Sequence, residues 1–301
     1  MNSIALVIPS YARHEDLQQV ITTALAQTQP FNEIVVALRD DDDASAAIAA
    51  NHNELKVVTT SQPGVLAAMR AGLRSVTSNL VMFTDDDARL PSDFVARLLP
   101  YFDNHAVVGV GGRDILFDAN IPRPTSLSSR VGELTPWGRL VGNHHCGTGG
   151  VREVAVLKGV NATYRRAELA LPTQLRGAGA QPHFEVAVGT RLRARGGVLL
   201  YDPELSVEHH PAQRVGDDQR NAPTAGALFD SAFNLERSLP RALMTRRLFY
   251  VLFVGDTNVP GVLRAVIALV RGETRVLQRI LPGWRGTLAA WRQRATPLAY
   301  D

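Results

Sequence analysis

Three consecutive carboxylates, Asp85-Asp86-Asp87, follow directly on the apolar run Leu80–Thr84. Side by side such groups repel one another, and either water or a cation must hold them ionised. Oxygen ligands of this kind favour Mg2+ or Mn2+ over zinc, and these ions usually bridge a few carboxylates and the phosphates of a substrate. A solvated acidic turn is the plainer account of the same residues, so the elements around them matter. Leu80–Thr84 has the length and apolar content of a buried strand, and Leu90-Pro91-Ser92-Asp93 reads as the start of a helix. The acids therefore sit at a strand's carboxyl end, the edge where open α/β sheets bind ligands.

The segments before them repeat that pattern. Ser3–Ile8 reads as a buried first strand stopped by Pro9, and Leu17, Val20, Ile21, Ala24 and Leu25 fall at helical spacing after it. Glu33–Leu38 is a second strand, closed by Arg39 and a further acidic cluster, Asp40–Asp43. Ala44–Ala50 reads as a helix, Leu55–Thr59 as a strand and Gly64–Ser75 as a helix. Strand and helix in alternation predict a mostly parallel sheet with helices on both faces. No Gly-x-Gly-x-x-Gly follows the first strand, which argues against the usual dinucleotide site. Gly109-Val110-Gly111-Gly112 runs on into strand, so its glycines are expected to let backbone approach a ligand or a neighbouring strand.

Asn120–Gly150 is a long Pro- and Gly-rich loop holding His144-His145, read as a pocket-shaping loop rather than a metal site. Val154–Leu157 and the segment from Lys158 to Arg166 are strand-like. His183-Phe184-Glu185 opens a helix that ends at Gly196-Gly197. A carboxylate in a first turn also gains from the helix dipole, so position alone leaves the role of Glu185 open. Val198–Asp202 and Leu205–Val207 are read as strand, followed by Glu208-His209-His210. Beyond Gly216 the pattern turns helical, with helices expected over Ala225–Leu239, Arg241–Val254, Val262–Arg271 and Arg275–Leu281 and a turn at Gly255–Gly261. The chain divides at this change into residues 1–220 and an Arg-rich extension, 221–301.

Composition narrows the class. With 301 residues, 45% apolar and 20% charged, the chain can bury a sizeable core and is not disordered. The single Cys146 excludes an internal disulfide and suits a reducing, cytoplasmic compartment. No signal peptide opens it, and its longest apolar run, Leu248–Val254, is far too short to span a bilayer. Eleven Arg and three acids from Arg237 onward give that stretch +8, leaving −5 for the rest of a chain whose total is +3. Such asymmetry suggests an anionic partner for the tail. Without aromatic interleaving or a base-reading motif, nucleic acid is disfavoured. Packing on the catalytic domain and peripheral attachment to the inner face of the plasma membrane through anionic lipid both remain open.

Ile8-Pro9-Ser10-Tyr11-Ala12-Arg13, Gly64–Leu73, Phe83-Thr84-Asp85-Asp86-Asp87-Ala88, Lys158-Gly159-Val160-Asn161, Glu185, Tyr201-Asp202-Pro203 and His209 stand in this order along the chain. Over residues 3–214 the ordered set resembles family 2 glycosyltransferases of the GT-A fold, most of all bacterial members that assemble exopolysaccharide or other cell-surface glycans. The resemblance implies a Rossmann-like α/β sheet, a UDP- or GDP-linked sugar donor, Mn2+ or Mg2+, and inversion at the anomeric carbon. It implies a nucleoside pocket lined by Pro9, Ser10 and Tyr11, with Arg39, Asp42 and Gly64 near the base. Arg13 and Asn161, inside matched segments, are assigned to donor binding with them. Asp85 would contact ribose or sugar, Asp86 the sugar or the motif's own turn, and Asp87 the metal. His209 would complete the metal site, with His210 as its substitute, and Glu185 would be the catalytic base. The chain departs from the family where Leu38-Arg39-Asp40 replaces the frequent acidic pair after strand two, where Met69-Arg70 replaces Arg-Asn, and where Val186 follows Glu185.

The acceptor implied is a hydroxyl of a glycan, a lipid-linked sugar or a small molecule. Such a hydroxyl is a poor nucleophile near neutral pH, hence the need for a carboxylate base. Two other readings compete. A sugar-nucleotide pyrophosphorylase should carry a Gly-rich, basic phosphate loop after strand one, where this chain has Pro9-Ser10-Tyr11. An inactive, membrane-associated scaffold should carry disabled acids, and Asp85–Asp87 are intact.

Overall fold

Buried apolar runs alternate with amphipathic helices from the start of the chain. They form β1 (Ile4–Ser10), α1 (His14–Leu25), β2 (Glu33–Arg39), α2 (Asp43–Ala50), β3 (Leu55–Thr60), α3 (Val65–Ser75) and β4 (Leu80–Phe83). α1 buries Leu17, Val20, Ile21 and Ala24 of the stripe its spacing predicts, while Leu25, its last residue, is exposed. A computed structural model describes residues 2–118, 121–123, 125–212, 223–255 and 261–301, apart from the side chains of 274, 275 and 277. The boundary expected at 220/221, the middle of the expected Gly255–Gly261 turn and the first residue of the Asn120–Gly150 loop lie outside the described residues.

After β4 come β5 (Ala88–Arg89), α4 (Phe94–Leu98), β6 (Val107–Asp118), β7 (Ile121–Pro122), β8 (Glu133–Leu134), β9 (Leu140–Val141), β10 (Arg152–Glu153), β11 (Ala162–Arg165), α5 (Phe184–Ala194) and β12 (Val198–His209). The main sheet runs β10-β12-β6-β11-β4-β1-β2-β3. β1 lies parallel to β2 and β4, and β2 to β3. β11 runs antiparallel to both β4 and β6, so β6 points the same way as β4, and β12 is parallel to β6. The carboxyl ends of β1, β2, β4 and β12 thus share one edge of the sheet, although β4 and β12 end far apart in sequence. Ligand chemistry in an open α/β sheet collects at this edge.

Two prolines mislead a reading of strand ends. β1 continues through Pro9, which pairs with Ala37. The Val7 carbonyl accepts from the Thr84 N–H on the β4 side, so Pro9, two residues on, turns its missing donor to the same side, past the end of β4. No ladder bond is lost there. Likewise β12 is one strand rather than two, because the register with β6 shifts between Asp202 and Val207 and absorbs Pro203 as an irregularity. The glycines of β6 make this approach possible. A Cβ on Gly112 would overlap the Leu205 carbonyl, and one on Gly111 would stand 2.7 Å from the Asn161 carbonyl.

The chain folds as two compact units. Met1–Glu133, Gly142–Leu169 and Arg191–Gln213 form the first, which carries the main sheet. Leu134–Val141, Ala170–Thr190 and Arg214–Asp301 form the second. Its helices are α6 (Ala225–Ser238), α7 (Met244–Phe253), α8 (Val262–Val270) and α9 (Thr274–Arg292). α9 outruns its expected end at Leu281 and continues through Pro282. Tertiary packing overrides the local break: Gly286 brings α9 so close to the Phe229 backbone of α6 that a Cβ would clash. Glu236 on α6 and Arg247 on α7 form a fully buried ion pair at 2.7 Å. Trp291 Nε1 donates to Glu236 Oε2 at 2.9 Å, Arg294 donates to the Glu236 carbonyl at 2.9 Å, and Arg247 donates to the Gly138 carbonyl at 3.1 Å.

Candidate metal and nucleotide site

β4 stops at Phe83, and the chain turns through Asp85–Asp87 into β5, which pairs antiparallel with the end of β12 and sets Ala88 opposite His209. The end of β12 grips Asp87 twice. The His210 N–H donates to its carbonyl at 2.8 Å, and the Ala212 N–H donates to Oδ2 at 2.9 Å. One ligand atom each from Asp85, Asp87 and His209 lie within 4.8 Å of one another. Asp87 Oδ1 and His209 Nε2 are 3.3 Å apart, both buried, and neither has a hydrogen-bond partner. Leaving a buried polar atom unmet costs about 1–3 kcal/mol. Carboxylate oxygens and an imidazole nitrogen converging on one spot are a donor set that fits a divalent cation. His210 turns elsewhere: its ring stacks on Phe117 at 4.7 Å and its Nε2 meets Glu208 at 3.1 Å.

The far side of the His209 ring is held as well. Its Nδ1 lies 3.2 Å from Asp114 Oδ2, and Asp114, fully buried on β6, is ion-paired with Lys158. A carboxylate behind a ligating histidine fixes the ring's orientation and tautomer and raises its basicity. Burial disfavours ionised Asp114, but His209 and Lys158 outweigh it and draw its pKa down. Burial likewise opposes the imidazolium of His209, and Asp114 and Asp87 outweigh it, carrying the pKa up to about 9. Burial opposes the charge of Asp87, but the nearby His209 ring and the Ala212 N–H outweigh it and hold its pKa down at about 2. Burial and neighbouring Asp87 raise Asp85.

Asp86 faces inward. Its Oδ1 accepts from Arg13 Nη1 and its Oδ2 from Ser10 Oγ, both at 2.8 Å, so it ties the turn after β1 to the end of β4. Burial pushes its carboxyl up to about 7 against those partners. Burial also opposes the Arg13 charge, but Asp86 and Asp87 prevail and its pKa rises. With Asp86 ionised opposite Arg13 and with His209 neutral, the carboxylates of residues 85, 86, 87 and 114 face Arg13 and Lys158. In that state, the one a cation on neutral His209 would require, two negative charges are left for one divalent ion to balance.

The remaining expected residues divide into two groups. Tyr11 is exposed at the β1–α1 turn, and the Arg39 guanidinium stacks over its ring at 5.0 Å while pairing with Asp41 at 2.9 Å. Pro9 and Ser10 end the same strand, and Gly64 opens α3 with φ 103°, a conformation suited to glycine. These lie along the ligand edge. Asp42 and Asn161 are internal struts: Asp42 accepts from the Ala12 N–H at 2.7 Å and caps α2 at the Ser45 N–H, and Asn161 donates to the Leu205 carbonyl at 2.7 Å. Glu185 stands in the first turn of α5, in the second unit. His144 is buried, with Nε2 2.9 Å from the Val156 carbonyl, and desolvation lowers its pKa to about 4. Asp114 and Lys158 were not among the expected site residues. The signal for Asp114 was an acid inside the long apolar strand that follows Gly109, where an ionised side chain needs a partner.

Comparison with known proteins agrees with this architecture. The Pyrobaculum calidifontis mannosyltransferase PcManGT, in complex with GDP-Man and Mn2+, superposes with a TM-score of 0.56 at 17% identity, over 98% of this chain and 87% of its own. S. aureus TarS 1-349 in complex with UDP-GlcNAc gives 0.58 at 15% identity, over 97% of this chain and 92% of its own. Both share the GT-A fold. Glycosyltransferase GlyA of Streptococcus pneumoniae serotype 4 is 28% identical over 101 residues, 32% of this chain and 14% of its own length. Residues 5–158 match the model of the Glycosyl transferase family 2 domain. That match covers just over half of the chain and ends at Lys158, beside the acidic strand end, and the chain belongs to glycosyl transferase family 2.

Proposed function

We propose that the protein moves a sugar from a UDP- or GDP-linked donor to a hydroxyl of a glycan, lipid-linked or small-molecule acceptor, with inversion, in bacterial polysaccharide or cell-surface glycan synthesis. The observation that carries this reading is the pair of unmet buried atoms, Asp87 Oδ1 and His209 Nε2, facing each other at the carboxyl edge of the sheet. Relatives of this fold complexed with GDP-Man and Mn2+ or with UDP-GlcNAc support the donor class. Asp87 and His209 would hold the cation, Mn2+ or Mg2+, with Asp85 beside it toward ribose or sugar. When bound, such an ion offsets the charge that grows on a departing diphosphate. In this reading residues 1–220 are the catalytic domain and 221–301 its helical extension.

The chain's own residues supply the rest. Tyr11 and Arg39 offer a flat, cationic stack for a nucleobase, with Pro9, Ser10 and Gly64 bordering it. Arg13 and Asn161 act through the shape of the pocket, Arg13 by its bond to Asp86 and Asn161 by its bond to the Leu205 carbonyl. Asp42 does the same by holding the β1–α1 turn. Glu185 is the proposed base, taking the proton of the acceptor hydroxyl as the new bond forms at the anomeric carbon and the diphosphate leaves.

The test is release of nucleoside diphosphate from UDP- and GDP-sugars with Mn2+, alongside thermal stabilisation by UDP or GDP. The intact protein should hydrolyse one donor slowly and be stabilised by its nucleotide only with the metal. Glu185→Gln should keep that stabilisation and lose turnover by about 100- to 10,000-fold. Unchanged turnover in that variant removes Glu185 from the mechanism, and a protein that neither binds nor cleaves any donor is a scaffold.

A further inference from the structure

α8 is apolar on nearly every side. Val262, Leu263, Val266, Ile267, Leu269 and Val270 are all exposed, Val270 at 83%, and within the helix only Ala268 is buried. α7 adds Phe249 and Phe253, exposed and stacked on each other at 6.4 Å. A helix that is hydrophobic all round is normally enclosed, and an exposed apolar patch of this extent marks an interaction surface. Among the described residues no helix is long and apolar enough to cross a membrane, so this face does not belong to a spanning segment.

Charge decides what covers it. Three of the tail's arginines turn inward: Arg247 pairs with Glu236, Arg294 donates to the Glu236 carbonyl, and Arg237 donates to the carbonyls of Gln293 and Thr296. Arg246, Arg264 and Arg271 stay exposed on or beside the apolar helices, and the one described acid near them, Glu273, meets Arg271 loosely at 3.8 Å. A second copy of this face would set arginine against arginine. Phosphate headgroups would meet the arginines while the acyl boundary takes up the valines, leucines and phenylalanines.

We propose that the α7–α8 face docks on the surface of an anionic phospholipid bilayer, the helices lying in its plane. The assignment is independent of the metal site and places the enzyme at a membrane surface, where a lipid-linked acceptor would be within its reach.

The test is co-sedimentation of the full chain with vesicles of phosphatidylcholine alone and of phosphatidylcholine mixed equally with phosphatidylglycerol. The protein should pellet with the mixed vesicles and far less with the neutral ones. Leu263→Ser, Val266→Ser and Val270→Ser combined should lower partition by about tenfold or more. Arg246→Glu with Arg264→Glu should lower it by about fivefold or more per site, on the anionic vesicles only. Both variants should keep their stabilisation by UDP or GDP with Mn2+, which separates failure here from failure of the proposed activity. If the serine variant misfolds, the arginine pair, exposed on its helices, carries the test. Three outcomes overturn the proposal: no pelleting with either vesicle, equal pelleting of parent and variants, or a dimer in sedimentation velocity that the serine variant dissociates.

Discussion

Each unit of the molecule buries a cluster of charges, and the two clusters are built to opposite ends. Around Glu236 the carboxylate is fully met: it takes Arg247 at 2.7 Å and Trp291 at 2.9 Å, with Arg294 at 3.9 Å. Around Asp87 the cluster stays open, with an oxygen and a facing imidazole nitrogen 3.3 Å apart and neither hydrogen-bonded. Burial of charge alone therefore says little about function. A buried pair with its hydrogen bonds made is a packing device, whereas converging lone pairs left unmet by the protein mark a place for something the protein binds.

The sharpest way to break this comparison is to neutralise each centre in turn. Asp87→Asn keeps the shape of the side chain and removes its charge. It should abolish the Mn2+-dependent stabilisation by UDP or GDP and cut donor cleavage by about a thousandfold or more, equivalent to about 4 kcal/mol, while circular dichroism stays unchanged. Glu236→Ala should do the reverse, lowering stability in urea unfolding by about 3–5 kcal/mol because buried Arg247 loses its carboxylate. The double replacement Glu236→Leu with Arg247→Met should recover much of that loss. If Asp87→Asn unfolds the protein, or Glu236→Ala leaves stability untouched while ending turnover, the two centres have been assigned the wrong way round.

The sequence made part of this contrast legible. Three adjacent acids after Leu80–Thr84 cannot be accommodated without water or a cation, so they announce themselves wherever the strand lies. The parallel strands and their helices were readable too, because strands buried on both faces are continuous apolar runs and α1 carries a regular buried stripe. Asp114 was legible only as an acid in want of a partner, since a lone acid in a strand does not show which group it will meet. Only the pairing of β6 with β12, His209 opposite Leu116, brings it to the histidine ring. The ends set by proline were misread at Pro9, Pro203 and Pro282 for one shared reason: each break depends on whether a neighbour needs the missing N–H or whether packing overrides it. The buried pair in the second unit was hidden in a tail whose arginines look alike in sequence, although some face a carboxylate and others solvent.

Asp114 offers the finest discrimination, because it lies behind the open centre rather than in it. A cation held at this site would require neutral His209, whose pKa is held up to about 9 against burial by Asp114, Asp87 and Asp85. Protons therefore compete with the cation below that value, and affinity for Mg2+, which stays soluble in mild alkali, should rise by up to about tenfold per pH unit until about pH 9 and then level off. Asp114→Asn removes one of the three carboxylates that raise the histidine, so the break in the profile should move to lower pH. The same change frees the ring to turn, which should weaken the plateau affinity by about 10- to 100-fold. A lower plateau with an unmoved break would mean that Asp114 only packs beside His209. An unmoved plateau with a shifted break would mean that it sets the charge of the ring without aiming it.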